Sequence, residues 1–192
     1  MLARASSFAG EKGLEIIEQL GKGHSSLVYL AMSGRKRLVL KAERQDSSRF
    51  RMAEREAENL RRANEIGIGP KLAGFDFEKR IILMEFVEGK TFSEWLFSNP
   101  ERKELMEFAR ELLAQGKRLD EIGLDHGQLA GRGKNILVRN GKPVIIDFEK
   151  ASSRRKCHNF SVLQAFLFRN PNGAIAARVK EILGEEAEKL TS

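Results

Sequence analysis

The sequence of 192 residues predicts an α+β protein in two parts, an antiparallel sheet with one helix followed by a small, mainly helical part that carries a β-hairpin. Three observations predict this fold. Five short runs of β-forming residues, with one helical pattern among them, fall in the first 90 residues. Apolar residues then recur at helical spacing after residue 99, and an Asn-Gly pair separates two short apolar runs near residue 140.

The five predicted strands are short and are bounded by turn residues. They cover residues 14–20, 27–32, 38–41, 72–77 and 80–86. We expect them to form an antiparallel sheet.

The predicted helix of the first part spans residues 47–64, where apolar side chains recur at helical spacing. Asp46, Ser47 and Ser48 are each available as its N-cap. Residues 67–70, Gly-Ile-Gly-Pro, end this helix.

The pattern changes at residues 87–90, Val-Glu-Gly-Lys. We expect a boundary there, with a first lobe over residues 1–87 and a second over 88–192. The length of 192 residues predicts one domain or two small lobes, with enough chain to bury a core.

The second lobe is predicted to begin its main helix at residue 99. Asn99 can cap, Pro100 suits the first helical position, and Glu101 is favoured by the helix dipole. Two closing helices are expected over residues 160–168 and 174–183.

A hairpin is predicted over residues 136–146, with Asn140 and Gly141 as a two-residue type I′ turn. Counting outward from the turn places Asn135 opposite the last residue of the second strand, beside Asp147. Two oxygen ligands then meet at the open end of the hairpin, as a hard cation such as Mg²⁺ requires.

Several residues of the first lobe suit phosphate chemistry. The turn 21–26, Gly-Lys-Gly-His-Ser-Ser, joins two strands, so its N–H groups can close over phosphate, although Gly-x-Gly alone can be an ordinary turn. Lys41 ends a strand that reads as buried and therefore needs an anionic partner, unless it is a surface lysine. Glu56 can supply the partner, with Glu54 and Glu58 as rivals.

Two residues of the second lobe keep alternative interpretations. His126 is either part of a catalytic loop or a structural histidine. Asp147 follows three β-forming residues, as a metal ligand at a strand end does, but it can also cap the turn that follows.

Positive charge gathers in one segment. The formal net charge is +7, and residues 127–156 hold eight basic and two acidic residues, a net of +6. The basic residues there are Arg132, Lys134, Arg139, Lys142, Lys150, Arg154, Arg155 and Lys156. Such clustering predicts a polyanionic partner.

Other classes are disfavoured. The apolar runs are only a few residues long and the N-terminus lacks a secretory signal, so we expect no membrane anchor. Cys157 is the one cysteine, which excludes an internal disulfide and a cysteine zinc cluster and suits a reducing cytoplasm. High Lys, Arg and Glu content is compatible with a thermophilic source.

Together these motifs resemble the protein-kinase-like superfamily, and within it the RIO kinases and the small kinase of the KEOPS complex, over residues 14–168. The resemblance implies a two-lobed, ATP-dependent phosphotransferase that uses Mg²⁺ or Mn²⁺. It implies a nucleotide site formed by Gly21, Gly23, Ser25, Ser26, Val28, Lys41, Met84, Glu85 and Val87. It also implies metal ligands at Asn135 and Asp147, and catalytic roles for Asp125, His126, Lys41, Glu56 and Asp147.

The catalytic loop departs from that family. It reads Leu-Asp-His-Gly-Gln-Leu over residues 124–129, which puts Gln128 where a catalytic aspartate is expected. An amide cannot accept the proton, so Asp125 is the candidate, while Gln128 can still orient a hydroxyl.

The loop variant, the small size and the basic segment are similar to archaeal RNA kinases that phosphorylate a tRNA uridine 2′-hydroxyl. The predicted RNA contacts are Arg132, Lys134, Lys150, Arg154, Arg155 and Lys156. No Ala-Pro-Glu motif follows Asp147, so a peptide-docking half is not expected. Two alternatives stay open: a RIO-like or KEOPS-like protein kinase or ATPase, and a nonenzymatic, nucleotide-dependent RNA-binding module.

Overall fold

A computed structural model describes residues 2–44 and 51–190 of the chain. Contacts divide the chain into two compact units, Met1–Phe86 and Val87–Ser192. The predicted α+β class is confirmed. The three N-cap candidates at residues 46–48 lie outside the described residues.

The first unit contains two helices and five strands in its described part. Their bounds are α1 Leu2–Glu11, β1 Glu15–Lys22, β2 Ser26–Ser33, β3 Lys36–Glu43, α2 Met52–Glu65, β4 Leu72–Asp76 and β5 Ile81–Glu85. The strands form one antiparallel sheet in the order β1-β2-β3-β5-β4. All five therefore occur where the alternation and turn signals predict them.

Helix α1 has no counterpart among the predicted elements, and the expectation of one helix in this part of the chain is wrong. Ala5, Phe8 and Ala9 of α1 are buried in one core with Leu38 and Leu40 of β3. The spacing of three and four residues puts these α1 side chains on one helical face. Because side chains alternate along a strand, Lys41 points to the other face of the sheet from Leu40.

The second unit is mainly helical. Its described elements are β6 Lys90–Thr91, α3 Phe92–Leu96, α4 Arg102–Glu121, β7 Ile136–Arg139, β8 Lys142–Ile145, α5 Asn159–Gln164 and α6 Ala174–Leu183. A π-helical turn, Ala165–Arg169, continues α5, and 3-10 turns cover Phe148–Lys150 and Gly184–Leu190. The two predicted closing helices are thus present, the first in two segments.

The predicted hairpin is confirmed in its register. Arg139 pairs with Lys142, and the turn residues Asn140 and Gly141 have φ values of 51° and 74°. Both values lie in the left-handed region that a type I′ turn requires. The short strand β6 adds a third strand by pairing Lys90 with Val138.

Helix α4 does not begin with the predicted cap. Asn99 has a φ of 60°, and its Oδ1 accepts a hydrogen bond from Arg178 instead of from the helix. The helix begins at Arg102, and Glu101 is its N-cap. The Glu101 N–H donates to Glu104 Oε2 at 3.1 Å, which satisfies a backbone donor at this end.

Helix α4 forms the centre of the second unit. Its Phe108 ring stacks on Phe92 with centroids 4.9 Å apart, and Trp95 lies at the same centroid distance from Phe108. Such aromatic packing fixes α3 against α4. None of the helices in residues 2–44 and 51–190 combines the length and apolar character needed to cross a bilayer.

Candidate nucleotide and metal site

The Gly-rich turn joins β1 to β2. The N–H of Gly23 donates to Ser26 O at 2.8 Å, and the ladder is irregular between Gln19 and Gly21. Gly21 does not have a left-handed φ, and no described atom lies within 4 Å of where its Cβ would be. The fold itself therefore does not require glycine at position 21. Close approach of a ligand to the backbone would require it, because a side chain would block that approach.

Two predicted nucleotide contacts are buried. Ser25 and Ser26 are 3% and 6% exposed. These values limit contacts through the whole residue surface in the structure, and the predicted contact of the turn's backbone N–H groups with phosphate stays a prediction.

Val28 and Lys41 share one row of the sheet. Val28 pairs with Gly21 on one side and with Lys41 on the other, and Lys41 pairs with Ile82. Residues directly opposite one another in a ladder point to the same face. The ladder thus places the valine and the lysine next to each other, on one face and level with the Gly-rich turn.

Lys41 forms an ion pair with α2. Its Nζ lies 2.6 Å from Glu56 Oε2, and the two side chains are 12% and 3% exposed. Glu54 instead pairs with Arg51, and Glu58 is exposed. The geometry therefore selects Glu56 among the three candidate partners.

The segment at residues 84–87, where the first unit ends, is partly buried. Met84 is buried, and the N–H of Glu85 donates to Lys71 O at 2.8 Å. The resemblance implies that the backbone of this segment contacts adenine. Because the Glu85 N–H already donates to Lys71 O, such a contact would have to use a different backbone N–H or C=O group of the segment. Val87, the first residue of the second unit, is 8% exposed.

In the second unit, the open end of the hairpin carries oxygen donors. The N–H of Ile146 donates to Asn135 O at 2.9 Å, which places Asn135 across from the residue before Asp147. Asn135 Nδ2 donates to Gln128 O at 3.1 Å, which turns Oδ1 away from that bond. Carboxylate oxygens of Asp147 and Glu149 lie within 4.8 Å of each other.

This donor set fits a hard divalent cation, because it offers amide and carboxylate oxygens and no sulfur or imidazole. Asp147 itself has φ 65° and ψ 67°. A non-glycine residue in the left-handed region is uncommon and concentrates at functional sites.

His126 is buried completely. Its Nε2 lies 3.0 Å from Ile146 O, which requires the proton on Nε2, and its ring packs edge-to-face on Phe148 with centroids 4.8 Å apart. Burial lowers the pKa of His126 to about 4. The ring is thus neutral near pH 7 and is not exposed to a substrate, which corrects the expected catalytic role.

A buried network holds the loop around His126. The His126 N–H donates to Asn159 Oδ1 at 2.8 Å, and Asn159 Nδ2 donates to Leu124 O and to Asp120 Oδ1, both at 2.8 Å. Asp120 in turn accepts the N–H groups of Asn159 and Phe160 at the start of α5. Asn159 therefore ties the loop to two helices.

Asp125 is paired with Arg155. The Arg155 Nη2 lies 2.8 Å from Asp125 Oδ2, and Nε donates to the same oxygen at 2.9 Å. Arg155 is one of the predicted RNA contacts, but its guanidinium is engaged within the second unit. Its predicted contact with an RNA phosphate stays a prediction.

The remaining basic candidates differ in exposure. Arg132, Lys134, Arg154 and Lys156 are exposed, whereas Lys150 is half-buried. The exposed four lie in the segments before β7 and after the 3-10 turn. They can therefore present positive charge to a polyanion while the buried contacts of the fold stay intact.

Sequence reasoning missed three residues of this region. Asp120 and Asn159 contact each other across 39 positions of the chain, and no local pattern encodes such a pair. Glu149 is not among the predicted ligands, although its position two residues after Asp147 is a usable signal for a second acid.

Comparison with known proteins gives a family. The family described as the RIO domain matches residues 28–165 of this chain. The KEOPS complex subunit Bud32 of Pyrococcus abyssi is 39% identical over 95 residues, which cover 49% of this chain and 42% of that protein. An uncharacterized protein of Methanocaldococcus jannaschii is 31% identical over 100 residues, which cover 52% of this chain and 83% of that protein.

The similarity thus spans less than half the length of the Pyrococcus subunit. RIO-domain proteins are atypical kinases and ATPases.

Proposed function

The chain belongs to the RIO-domain family, and on that premise we propose that it is an ATP- and Mg²⁺-dependent kinase that transfers the γ-phosphate to an RNA hydroxyl. The acceptor we propose is a nucleoside 2′-hydroxyl of tRNA. The observation that carries the RNA assignment is the group of exposed cations, among them Arg132 and Lys134, in the same loop as Asp125 and Asn135.

The nucleotide would be held by the first unit. Lys41 would contact the phosphates, and Glu56 would hold the ammonium in place through the 2.6 Å ion pair. Val28, beside Lys41 on the same face, would cover the base, and the backbone around Gly21 and Gly23 would close over phosphate.

Asn135 and Asp147 would hold the metal ion, with Glu149 near Asp147 as a further acid. When bound, the ion supplies positive charge that neutralises the phosphate oxygens. The hairpin contributes rigidity: its register fixes Asn135 across from Ile146, and Asp147 follows directly.

Asp125 would orient the acceptor hydroxyl and receive its proton. The hydroxyl oxygen forms a bond to the γ-phosphorus while the bond from that phosphorus to the bridging oxygen of ADP breaks. Phosphoryl transfer through a loose transition state depends mainly on positioning and charge stabilisation. One positioned carboxylate can therefore serve where Gln128 replaces the expected aspartate.

A protein acceptor is the second candidate, and one observation favours it. The Pyrococcus relative is named as a subunit of the KEOPS complex, a protein assembly. The exposed cations would then contact an acidic or RNA-containing partner while the phosphate goes to a serine or threonine.

The deciding experiment offers γ-³²P-ATP with Mg²⁺ or Mn²⁺ and a mixture of total tRNA and a generic protein substrate. The labelled product is then digested separately with nuclease and with protease. We expect label that nuclease removes and protease does not. Protease-sensitive label would transfer the assignment to the second candidate, and released phosphate alone would indicate an ATPase.

Asp147→Ala is the matched inactive variant, because it removes a proposed metal ligand at the end of the hairpin. Arg110→Ala is the control for charge removal, since Arg110 is exposed on α4 and away from the catalytic loop in sequence. Full label transfer by a folded Asp147→Ala variant would contradict the metal role. tRNA binding without any transfer by the wild type would leave a nonenzymatic RNA-binding module.

A further inference from the structure

Arg155 joins the catalytic loop to the chain that follows Asp147. Its Nε and Nη2 lie 2.9 and 2.8 Å from Asp125 Oδ2, and Nη2 also donates to Lys150 O at 2.6 Å. Two donors of one planar guanidinium on one carboxylate oxygen restrict the orientation of that carboxylate more than a single contact does.

The backbone strengthens the same connection. The N–H of Asp125 donates to Ser152 O at 3.0 Å, and the N–H of Ser152 donates to Asp125 O at 2.8 Å. Gly127 has a φ of 75°, and a Cβ at this position would overlap the guanidinium of Arg155. The loop is therefore shaped to accommodate Arg155 as well as to hold Asp125.

The two oxygens of Asp125 have different surroundings. Oδ2 takes both contacts from Arg155, whereas Oδ1 makes no hydrogen bond within the part of the chain that the structure describes. The Asp125 side chain is 13% exposed, so it is not closed off from solvent.

We infer that Arg155 is a positioning residue that holds the Asp125 carboxylate through Oδ2 and leaves Oδ1 to take the proton of the acceptor hydroxyl. This inference rests on the proposed role of Asp125 in phosphoryl transfer. As the hydroxyl oxygen bonds to the γ-phosphorus, its proton moves to Oδ1 of Asp125. The proton then passes from Oδ1 to solvent after ADP has formed.

The competing role for Arg155 is a contact to an RNA phosphate. The two roles predict different kinetics. A residue that acts through Asp125 changes kcat and leaves RNA affinity unchanged, whereas a phosphate contact changes RNA affinity and its salt dependence. Lysine keeps the charge but not the planar pair of donors, so it should satisfy a phosphate better than it orients a carboxylate.

The test is a double-mutant cycle with Arg155→Gln, Asp125→Asn and the double variant, with Arg155→Lys and the Arg110→Gln control. For each protein, kcat and KM for label transfer to tRNA are measured together with the Kd for tRNA by filter binding. We expect Arg155→Gln to lower kcat by about 100-fold, the cost of a small misplacement at a reacting centre. Its Kd should match that of the control, and Arg155→Lys should recover part of kcat.

The decisive comparison is the double variant. If Arg155 acts through Asp125, removing Arg155 from the Asp125→Asn variant causes no further loss of kcat. Additive losses, an unchanged kcat in Arg155→Gln, or a raised Kd with normal kcat would each overturn the inference. Thermal unfolding of every variant checks that it is folded. If Arg155→Gln does not fold, Arg155→Lys replaces it in the double-mutant cycle.

Failure of the proposed function gives a different result. If the wild type labels protein and not tRNA, the proposed RNA acceptor is wrong. The double-mutant cycle is then measured with that protein as the acceptor, and the same criteria apply to Arg155. A wild type that labels neither acceptor overturns both the proposed function and the positioning role.

Discussion

The ammonium of Lys41 lies 2.6 Å from a carboxylate oxygen of Glu56, and both side chains are nearly buried. Strand β3 and helix α2 are thereby joined by charge as well as by packing. A buried pair of this kind contributes little net stability while intact, but removing one partner leaves the other charge buried and uncompensated.

Lys41→Met should therefore affect both chemistry and stability. We expect phosphate transfer to fall by about 100-fold or more, because the variant lacks one charge-stabilising group. The free energy of unfolding should fall by about 3–5 kcal/mol, because the buried Glu56 carboxylate loses the positive charge of Lys41. Label transfer and urea unfolding measure the two effects.

Lys36→Met is the matched control, since Lys36 is exposed on the same strand. It should change neither quantity appreciably. A folded Lys41→Met protein that transfers phosphate at the wild-type rate would remove Lys41 from the site.

His126 should make stability depend on pH. Burial lowers its pKa to about 4, below the ordinary value of about 6.5 that it regains on unfolding. The unfolded chain therefore binds a proton first as the pH falls, so stability is full above about 6.5 and declines toward about 4, by about 3 kcal/mol in all.

His126→Gln tests this, because glutamine can still donate to Ile146 O but does not titrate. Urea unfolding at several pH values between 4 and 8 should show that the difference between wild type and variant shrinks as pH falls. Parallel pH curves for the two proteins would contradict the burial of the ring.

Asn159→Ala should loosen the loop that contains Leu124 and His126. The change leaves the His126 N–H and the Leu124 carbonyl without their buried partner, at a cost of about 3 kcal/mol. Hydrogen exchange should show faster exchange of the His126 amide. Ser161→Ala, on the exposed side of the same helix, should leave that exchange rate unchanged.

Replacing the exposed cations should weaken tRNA binding without abolishing transfer. Alanine at Arg132, Lys134, Arg154 or Lys156 should each reduce the slope of log K against log salt by about 0.7 to 0.9 for every phosphate that is no longer neutralised. Filter binding at several salt concentrations measures the slope, with Arg110→Ala as the control. An unchanged slope in all four variants would count against an RNA interface here.

Local patterns are sufficient for much of the fold. The turn residues Asn140 and Gly141 specify the hairpin register, because only a few residues tolerate two left-handed positions in succession. Counting residues outward from that turn is enough to place Asn135 across from Ile146, where the backbone hydrogen bond between them is found. The strands of the first unit are predictable for the same reason, since alternation and turn residues are local signals.

Contacts between distant segments are not predictable in this way. The sequence predicts Asn99 as a helix cap, but its side-chain oxygen accepts a hydrogen bond from Arg178, which lies 79 positions away in the chain. Arg155 reads as one more cation in a basic segment, yet its partner Asp125 lies 30 positions earlier. Helix α1 escapes prediction because its buried face consists largely of alanine, which gives a weak apolar pattern.

The packing of α1 on the sheet makes the folding unit larger than the segment shared with the family. The matched range, residues 28–165, begins inside β2 and ends within the first closing helix. A polypeptide trimmed to that range would uncover the apolar face formed by Leu38 and Leu40 and would lack β1. Expression of the shared segment alone should therefore yield aggregated protein, whereas the chain that includes α1 and β1 keeps this face covered.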